Sequence, residues 1–242
     1  MKCDLCRKVV AMRDVFNSDL PEIRIDKPIR LLEFFAGMGT QLQALKRIGA
    51  DVTSWFVCEF DQYAIKAYNA VHGTDYATSD VRNVHGEDLK IADKERYCYM
   101  LTYSFPCTDL SVAGKQAGMK KGSGTRSGLL WEVERILDEL PEQDLPQVLL
   151  MENVPQVVSN ANLPDFREWE RFLEGKGYHN YLQILNAKDY GVAQNRKRAF
   201  MFSFLDDVYY ERQYSVRREK RLWDGDTAVC GVVQGSFKPL GG

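Results

Sequence analysis

Three stretches bring reactive side chains to places where a strand should end. The apolar run CYMLTYSF, residues 98–105, stops at Pro106, and Cys107 follows. Proline fixes φ and has no N–H for a sheet, so it ends the strand and turns Cys107 outward, where a thiol can serve as a nucleophile. The run QVLLMENV ends on Glu152 and Asn153, a carboxyl group and an amide at the same kind of edge. In NAKDYGVAQNRKRAFM, Gln194, Arg196 and Arg198 alternate, so an extended backbone turns all three to one side. Each residue type also has an ordinary use, as a small core residue, a helix cap or a solvated charge. Their shared position at strand ends is what points to chemistry.

Two glycine-containing segments add ligand-binding character. Residues 114–126, GKQAGMKKGSGTR, hold four glycines, three lysines, one arginine and no acid, the composition of a loop that meets phosphate. The first apolar run, IRLLEFF, leads into FAGMGT, where Gly37 and Gly39 allow a sharp turn into a helix and close approach of a ligand to the backbone. Leu42 stands where a dinucleotide fingerprint has its third glycine, which argues against a pyrophosphate and so against NAD or FAD. Glu59 ends the second run, 20 residues beyond Gly39, in position to accept hydrogen bonds from ribose hydroxyls. Asp80, after TDYATSD, is in position to accept from an adenine amino group, or else to cap a helix. An adenosine without phosphates fits these residues, which suggests S-adenosylmethionine.

These residues need a scaffold that gathers strand ends along one edge. Six apolar runs alternate with amphipathic stretches between residues 29 and 205. Ala64, Ala67, Tyr68 and Val71 repeat at helical spacing after a candidate Asp61 N-cap. Ser127 is a candidate cap for a second helix with Leu129, Leu130, Val133, Ile136, Leu137 and Leu140 on one side, stopping at Pro141. Phe166, Trp169, Phe172 and Leu173 form a third stripe, ended by Gly175. Strands that are apolar along most of their length and alternate with helices predict an α/β, doubly wound, mostly parallel sheet covered on both faces.

Composition narrows the class further. With 45% hydrophobic and 27% charged residues, the 242-residue chain is too apolar for disorder, and it has no apolar run near membrane-spanning length. The charged start MKCDLCRKVV lacks a secretory stretch, and six scattered cysteines in a chain of this size read as reduced thiols, so a cytoplasmic protein is expected. Net charge is −2, so any nucleic-acid binding must come from local patches. Cys3 and Cys6 form a single CxxC without a second ligand pair, and no metal is expected.

Taken in order, these segments resemble the DNA cytosine-5 methyltransferase family. FAGMG resembles its first motif, PCTDLS its nucleophile motif, SGLLWEVERIL the helix after its mobile loop, and ENV and QNRKR its acid and base-contacting motifs. Glu59 and Asp80 stand where that family has its ribose and adenine contacts. The resemblance implies a Rossmann-like fold and methyl transfer from S-adenosylmethionine to carbon 5 of a cytosine flipped out of duplex DNA, with no metal. It casts Cys107 as the nucleophile at carbon 6, Glu152 as the partner of nitrogen 3, and Arg196 as the partner of the carbonyl oxygen at carbon 2. Phe35, Phe60, Val81, Pro106 and Leu129 join Gly37, Gly39, Glu59 and Asp80 around the cofactor. Ser111, Lys115, Lys120, Lys121, Arg126, Gln194 and Arg198 face the DNA or support the site.

The chain departs from that pattern in places. Ser104 stands where a glycine often precedes Phe-Pro-Cys, and Ala193 replaces a common proline. The family's target-recognition region and its last, GNSV-containing helix are not found. Residues 1–28 read as an N-terminal extension, 29–205 as the catalytic domain, and 206–242 as a short appendage or the start of a recognition region. Three readings stand side by side: an active DNA enzyme of bacterial or phage origin, a cofactor-binding subunit that needs a companion chain, and an RNA cytosine-5 methyltransferase.

Overall fold

A computed structural model describes residues 25–107, 110 and 118–205. The CxxC of Cys3 and Cys6, the Ser111 and Lys115 expected to contact DNA, and the two terminal segments lie outside the described residues. All six apolar runs are strands: β1 (Ile29–Phe34), β2 (Val52–Cys58), β3 (Cys98–Tyr103), β4 (Val148–Asn153), β5 (Tyr178–Asn186) and β6 (Lys197–Leu205). They form one sheet in the order β2-β1-β3-β4-β6-β5. The pairs β1–β2, β1–β3 and β3–β4 are parallel, while β6 runs antiparallel to both β4 and β5. Five strands therefore point one way and β6 opposes them, because the short connection after β5 turns the chain straight back beside it.

Side chains alternate across each strand and build a core on either face. Leu32, Phe34, Leu101, Tyr103, Leu149 and Met151 pack against α3 (Leu130–Glu139) and α4 (Leu163–Gly175), which contribute Leu130, Val133, Ile136, Leu137, Phe166, Trp169 and Leu173. Ile29, Leu31, Met100 and Val148 face α1 (Thr40–Arg47) and α2 (Gln62–His72), which contribute Leu42, Ile65 and Tyr68. The sheet is thus doubly wound. No helix among the described residues is long and apolar enough to cross a membrane.

Asp61 caps α2 as expected, its Oδ1 accepting from the backbone N–H groups of Tyr63 and Ala64 at 2.7 and 3.0 Å. Two expectations need correction. Val71 is 53% exposed, because Ile65 and Tyr68 supply the buried stripe of α2. Ser127 does not cap α3: it opens a 3-10 turn, Ser127–Leu129, and its hydroxyl donates instead to the carbonyl of Pro106. The helix then starts at Leu130 and stops at Glu139, before Pro141.

Glu33 is the one acid in β1. It is wholly buried against α2, where Oε2 accepts from the Tyr68 hydroxyl. Burial pushes its pKa from the ordinary 4.5 up to about 7, against the opposing pull of that hydrogen bond.

Candidate active site

The strand order fixes where a ligand can sit. After β1 the chain leaves to one side for β2, then returns to β3 on the other side of β1, so the crevice opens at the carboxyl ends of β1 and β3. Phe35 to Gly39 follow the first of these ends, and Ser104 to Cys107 follow the second. Gln41 spans the crevice floor, its amide donating to the Ser104 hydroxyl at 3.0 Å. Serine at this position gives α1 a polar hold on the segment leading to Cys107 that glycine could not provide.

On the β1 side, the turn depends on left-handed backbone. Phe35 has φ 56°, a conformation that costs a non-glycine residue roughly 1–2 kcal/mol and occurs mostly where function requires it. Gly39 has φ 76°, and a Cβ there would stand 2.3 Å from His72 Nε2 and 2.6 Å from Tyr68 Cε2, so only glycine fits beneath α2. A Cβ on Gly37 would meet nothing within 4 Å, which leaves that face of the turn open.

Glu59 and Gly37, expected to share a ligand, meet directly. Glu59 Oε2 accepts from the Gly37 N–H at 2.8 Å, and Oε1 accepts from the Asp61 N–H at 2.8 Å. Two backbone donors thus orient the carboxylate, and each oxygen has a second lone pair for hydroxyl donors. Phe60 beside it is 72% exposed. The Ser79 N–H donates to the Glu59 carbonyl at 2.8 Å, which draws Asp80 to the same edge. Asp80 is a cap: Oδ1 accepts from the Arg82 N–H at 3.0 Å, and the carboxylate binds the Arg82 guanidinium, which holds its pKa below the usual range. Val81 is buried, and its carbonyl accepts from Arg135 of α3 at 3.2 Å.

The turn at Gly37, the fixed carboxylate of Glu59 and the exposed Phe60 ring suit an adenosine with free ribose hydroxyls. Asp80 can reach such a ligand only alongside, or in place of, Arg82.

On the β3 side, Cys107 is half-buried, whereas Cys58 and Cys98 are buried. Burial pushes the Cys58 thiol up to about 11, so it stays protonated and inert. Phe35, Cys107 and Leu129 are each partly buried and pack against the larger core. Asn153 is buried at the end of β4, where its amide donates to the Phe105 carbonyl at 3.0 Å.

The two arginines exchange their expected surroundings. Arg198 Nε lies 2.9 Å from Glu152 Oε1, each side chain about one-fifth exposed. Arg196 is exposed in the connection before β6. The expected extended run of Gln194, Arg196 and Arg198 does not form, because the Gln194 N–H bonds to the Val192 carbonyl and the Arg196 N–H to the Gln194 carbonyl, folding the segment into tight turns. Only Arg198 lies in the strand, where the register puts Glu152 opposite Phe200, two residues away on the same face.

Among the basic-loop residues, Lys120 and Arg126 are exposed. Lys121 is engaged: its ammonium pairs with Glu134 of α3 and lies 5.2 Å from the centre of the Trp131 ring. Sequence reasoning missed the Ser127, Arg135 and Gln41 contacts. Their one legible signal was Ser127 itself, the first residue after the basic stretch.

Comparison with known proteins agrees with this geometry. A relative at 34% identity is the orphan methyltransferase M.SssI of Spiroplasma monobiae, matched over 75% of this chain and 60% of its own length. The chain therefore spans about 60% of that curated relative. Among solved structures, the Entamoeba histolytica methyltransferase EhMeth superposes with a TM-score of 0.62 at 20% identity, covering 83% of this chain and 61% of that one. The S. pombe Dnmt2 methyltransferase gives 0.59 at 20% identity, covering 76% and 51%. Both share the fold. The family model described as C-5 cytosine-specific DNA methylase matches residues 29–227, which takes in every segment that builds the crevice, and on that match the chain belongs to this family.

Proposed function

We propose that the protein transfers a methyl group from S-adenosylmethionine to carbon 5 of a cytosine flipped out of duplex DNA, through a covalent bond to Cys107. The observation that carries this reading is the arrangement of one crevice. A half-buried thiol follows β3 four residues after its last residue, Tyr103, an acid near the end of β4 pairs with an arginine at the start of the antiparallel β6, and the Gly37–Glu59 turn lies across the switch point.

Carbon 5 of cytosine is a weak nucleophile, and Cys107 remedies this by adding to carbon 6, which moves electron density onto carbon 5. Glu152 hydrogen-bonds the ring at nitrogen 3 and offsets the charge that develops as the thiolate adds. Arg198, paired with Glu152, rather than Arg196 holds the carbonyl oxygen at carbon 2 in this reading. Arg196, exposed beside it, is left to the phosphate backbone. The cofactor, when bound, would supply an electrophilic methyl group to carbon 5 and, with its sulfur–methyl bond broken, leave as S-adenosylhomocysteine. Phe35, Gly37, Gly39, Glu59 and Phe60 hold it, with Asp80, Val81, Pro106 and Leu129 at its margins. Transfer of the carbon 5 proton to water reforms the bond between carbons 5 and 6, which expels Cys107 as thiolate and leaves 5-methylcytosine.

Flipping the base costs a few kcal/mol of stacking and pairing, which phosphate contacts from Lys120, Arg126 and Arg196 help offset. Ser111, Lys115, Lys121, Gln194 and a companion chain or further recognition segment complete the proposed nucleic-acid contacts. The cytoplasm of a bacterial cell is the proposed setting, with the gene carried by the bacterium or by a phage.

The test is transfer of radiolabelled methyl to duplex DNA and to transfer RNA, with the Cys107→Ser variant alongside. Label in cytosine of DNA, lost in the variant, is the expected result. Label in transfer RNA alone would shift the substrate to RNA, and equal labelling by the variant would remove Cys107 from the mechanism.

A further inference from the structure

Cys107 sits in a backbone segment whose carbonyls are held one by one. Phe105 O accepts from the Asn153 amide of β4 at 3.0 Å, Pro106 O from the Ser127 hydroxyl at 2.8 Å, and Cys107 O from the Leu110 N–H at 3.0 Å. The middle bond has the most direct hold on the thiol. Proline's ring fixes φ of Pro106, so its one soft torsion is ψ. That torsion sets the peptide plane shared by the Pro106 carbonyl and the Cys107 nitrogen, because the peptide unit is rigid. Pinning the carbonyl therefore fixes the direction in which the Cys107 Cα, and the thiol it carries, leave the strand end.

The donor is rigidly mounted. Ser127 is wholly buried at the start of the turn into α3, a helix anchored by Leu130, Val133, Ile136 and Leu137. The far half of α3 is tied to the cofactor edge: Arg135 donates to the carbonyls of Val81 and Val84 at 3.2 and 2.8 Å, and Glu139 accepts from the Gly86 N–H at 2.8 Å. On the other side of Ser127, the Gly128 N–H bonds to Thr125 Oγ1 at 3.1 Å, and Thr125 Oγ1 donates to the Gly118 carbonyl at 3.1 Å. A hydroxyl spent on capping would have done nothing for Cys107; this one reaches across 21 residues to the peptide that precedes it.

We propose that Ser127 is a positioning residue for the nucleophile: its hydroxyl, by holding the Pro106 carbonyl, sets the approach of Cys107 to carbon 6 of the base. The proposal rests on the covalent mechanism proposed above. It predicts a loss of rate in the step where the Cys107–base bond forms, with cofactor binding spared. A displacement of about 1 Å in such a step is worth on the order of 100-fold.

The experiment compares Ser127→Ala, and the isosteric pair Ser127→Thr and Ser127→Val, with the unmodified protein. Three quantities are measured: the single-turnover rate of covalent capture by duplex DNA containing 5-fluorocytosine at saturating S-adenosylmethionine, the cofactor Kd, and the rate of Cys107 alkylation by iodoacetamide followed by peptide mass spectrometry. Expected are a roughly 10- to 100-fold slower capture for Ala and Val, recovery to within about threefold for Thr, a cofactor Kd within about threefold throughout, and little change in alkylation, because a small electrophile imposes no approach direction. Capture by Ala at the unmodified rate overturns the proposal. So does a Thr variant no faster than Val, a comparison that holds even where Ala fails to fold. Absence of capture by the unmodified protein would instead refute the covalent mechanism itself, which separates the two failures.

Discussion

Exposure decides what a thiol can do, and it separates Cys107 from the buried Cys58 and Cys98. If Cys107 acts only in the bond to carbon 6, Cys107→Ser abolishes methyl transfer and leaves the cofactor Kd within about tenfold, or about 1.4 kcal/mol; calorimetry beside a transfer assay checks both halves. Glu59 has the opposite profile. Its carboxylate orients the Gly37 turn and has acceptors left for ribose, so Glu59→Ala raises the cofactor Kd tenfold or more by calorimetry. An unchanged Kd would return Glu59 to the part of a loop brace. The arginines divide in the same way. Arg198→Ala leaves Glu152 without its ion-pair partner and lowers kcat, whereas Arg196→Ala weakens DNA binding and flattens its salt dependence. Steady-state kinetics at two salt concentrations distinguishes the two effects, and equal kcat losses would contradict the assignment.

At the scale of elements, α3 and the turn before it link the two ends of the crevice, with Ser127 on the Pro106 carbonyl and Arg135 and Glu139 at the segment after Asp80. Arg135→Ala frees the Val81 and Val84 carbonyls, so the cofactor Kd rises severalfold while the melting temperature falls only a few degrees. The basic loop beside α3 gives an uneven pair. Lys120→Ala lowers the salt slope of DNA binding by up to about 1, and Lys121→Ala changes it less, because Glu134 already balances that charge. Equal changes for the two lysines would show that the Lys121–Glu134 pair opens on DNA.

Much of this scale was legible in the sequence. Each strand announced itself as an apolar run and Asp61 as a cap, whereas Pro106, expected to end its strand, lies in irregular chain because β3 already stops at Tyr103, and Cys107 beyond it is half-buried. Sequence alone does not encode contacts between distant segments, and the misreadings fall there. Ser127 is a good cap by type, yet the Pro106 carbonyl, 21 residues back, competes for its hydroxyl and wins. Arg196 and Arg198 differ only by two positions in a motif, and tight turns at Gln194 and Arg196 decide which of them reaches Glu152.

Across the whole molecule, the buried Glu33 makes stability depend on pH in an unusual direction. Its folded pKa is raised from 4.5 to about 7, so the folded state holds a proton that the unfolded chain has released. Stability is greatest below the unfolded value, falls as pH rises through the interval, and reaches its full loss, on the order of 3 kcal/mol, above the folded value. Glu170, pushed up to about 7 chiefly by burial, acts in the same sense. Glu33→Gln mimics the protonated form, so urea melts of that variant show a flatter decline between pH 5 and pH 8, and an unaltered decline would contradict the burial argument. The same sheet that encloses Glu33 brings Cys107, Glu152 and Arg198 to one edge, and the proposed covalent attack on cytosine depends on that arrangement. The most direct test of that claim mixes the protein with S-adenosylmethionine and a random-sequence duplex containing 5-fluorocytosine, whose fluorine cannot leave as a proton. The account predicts a protein–DNA adduct that survives denaturing electrophoresis and is absent in Cys107→Ser. Measurable cofactor binding with no adduct, or an adduct that persists in Cys107→Ser, would contradict it.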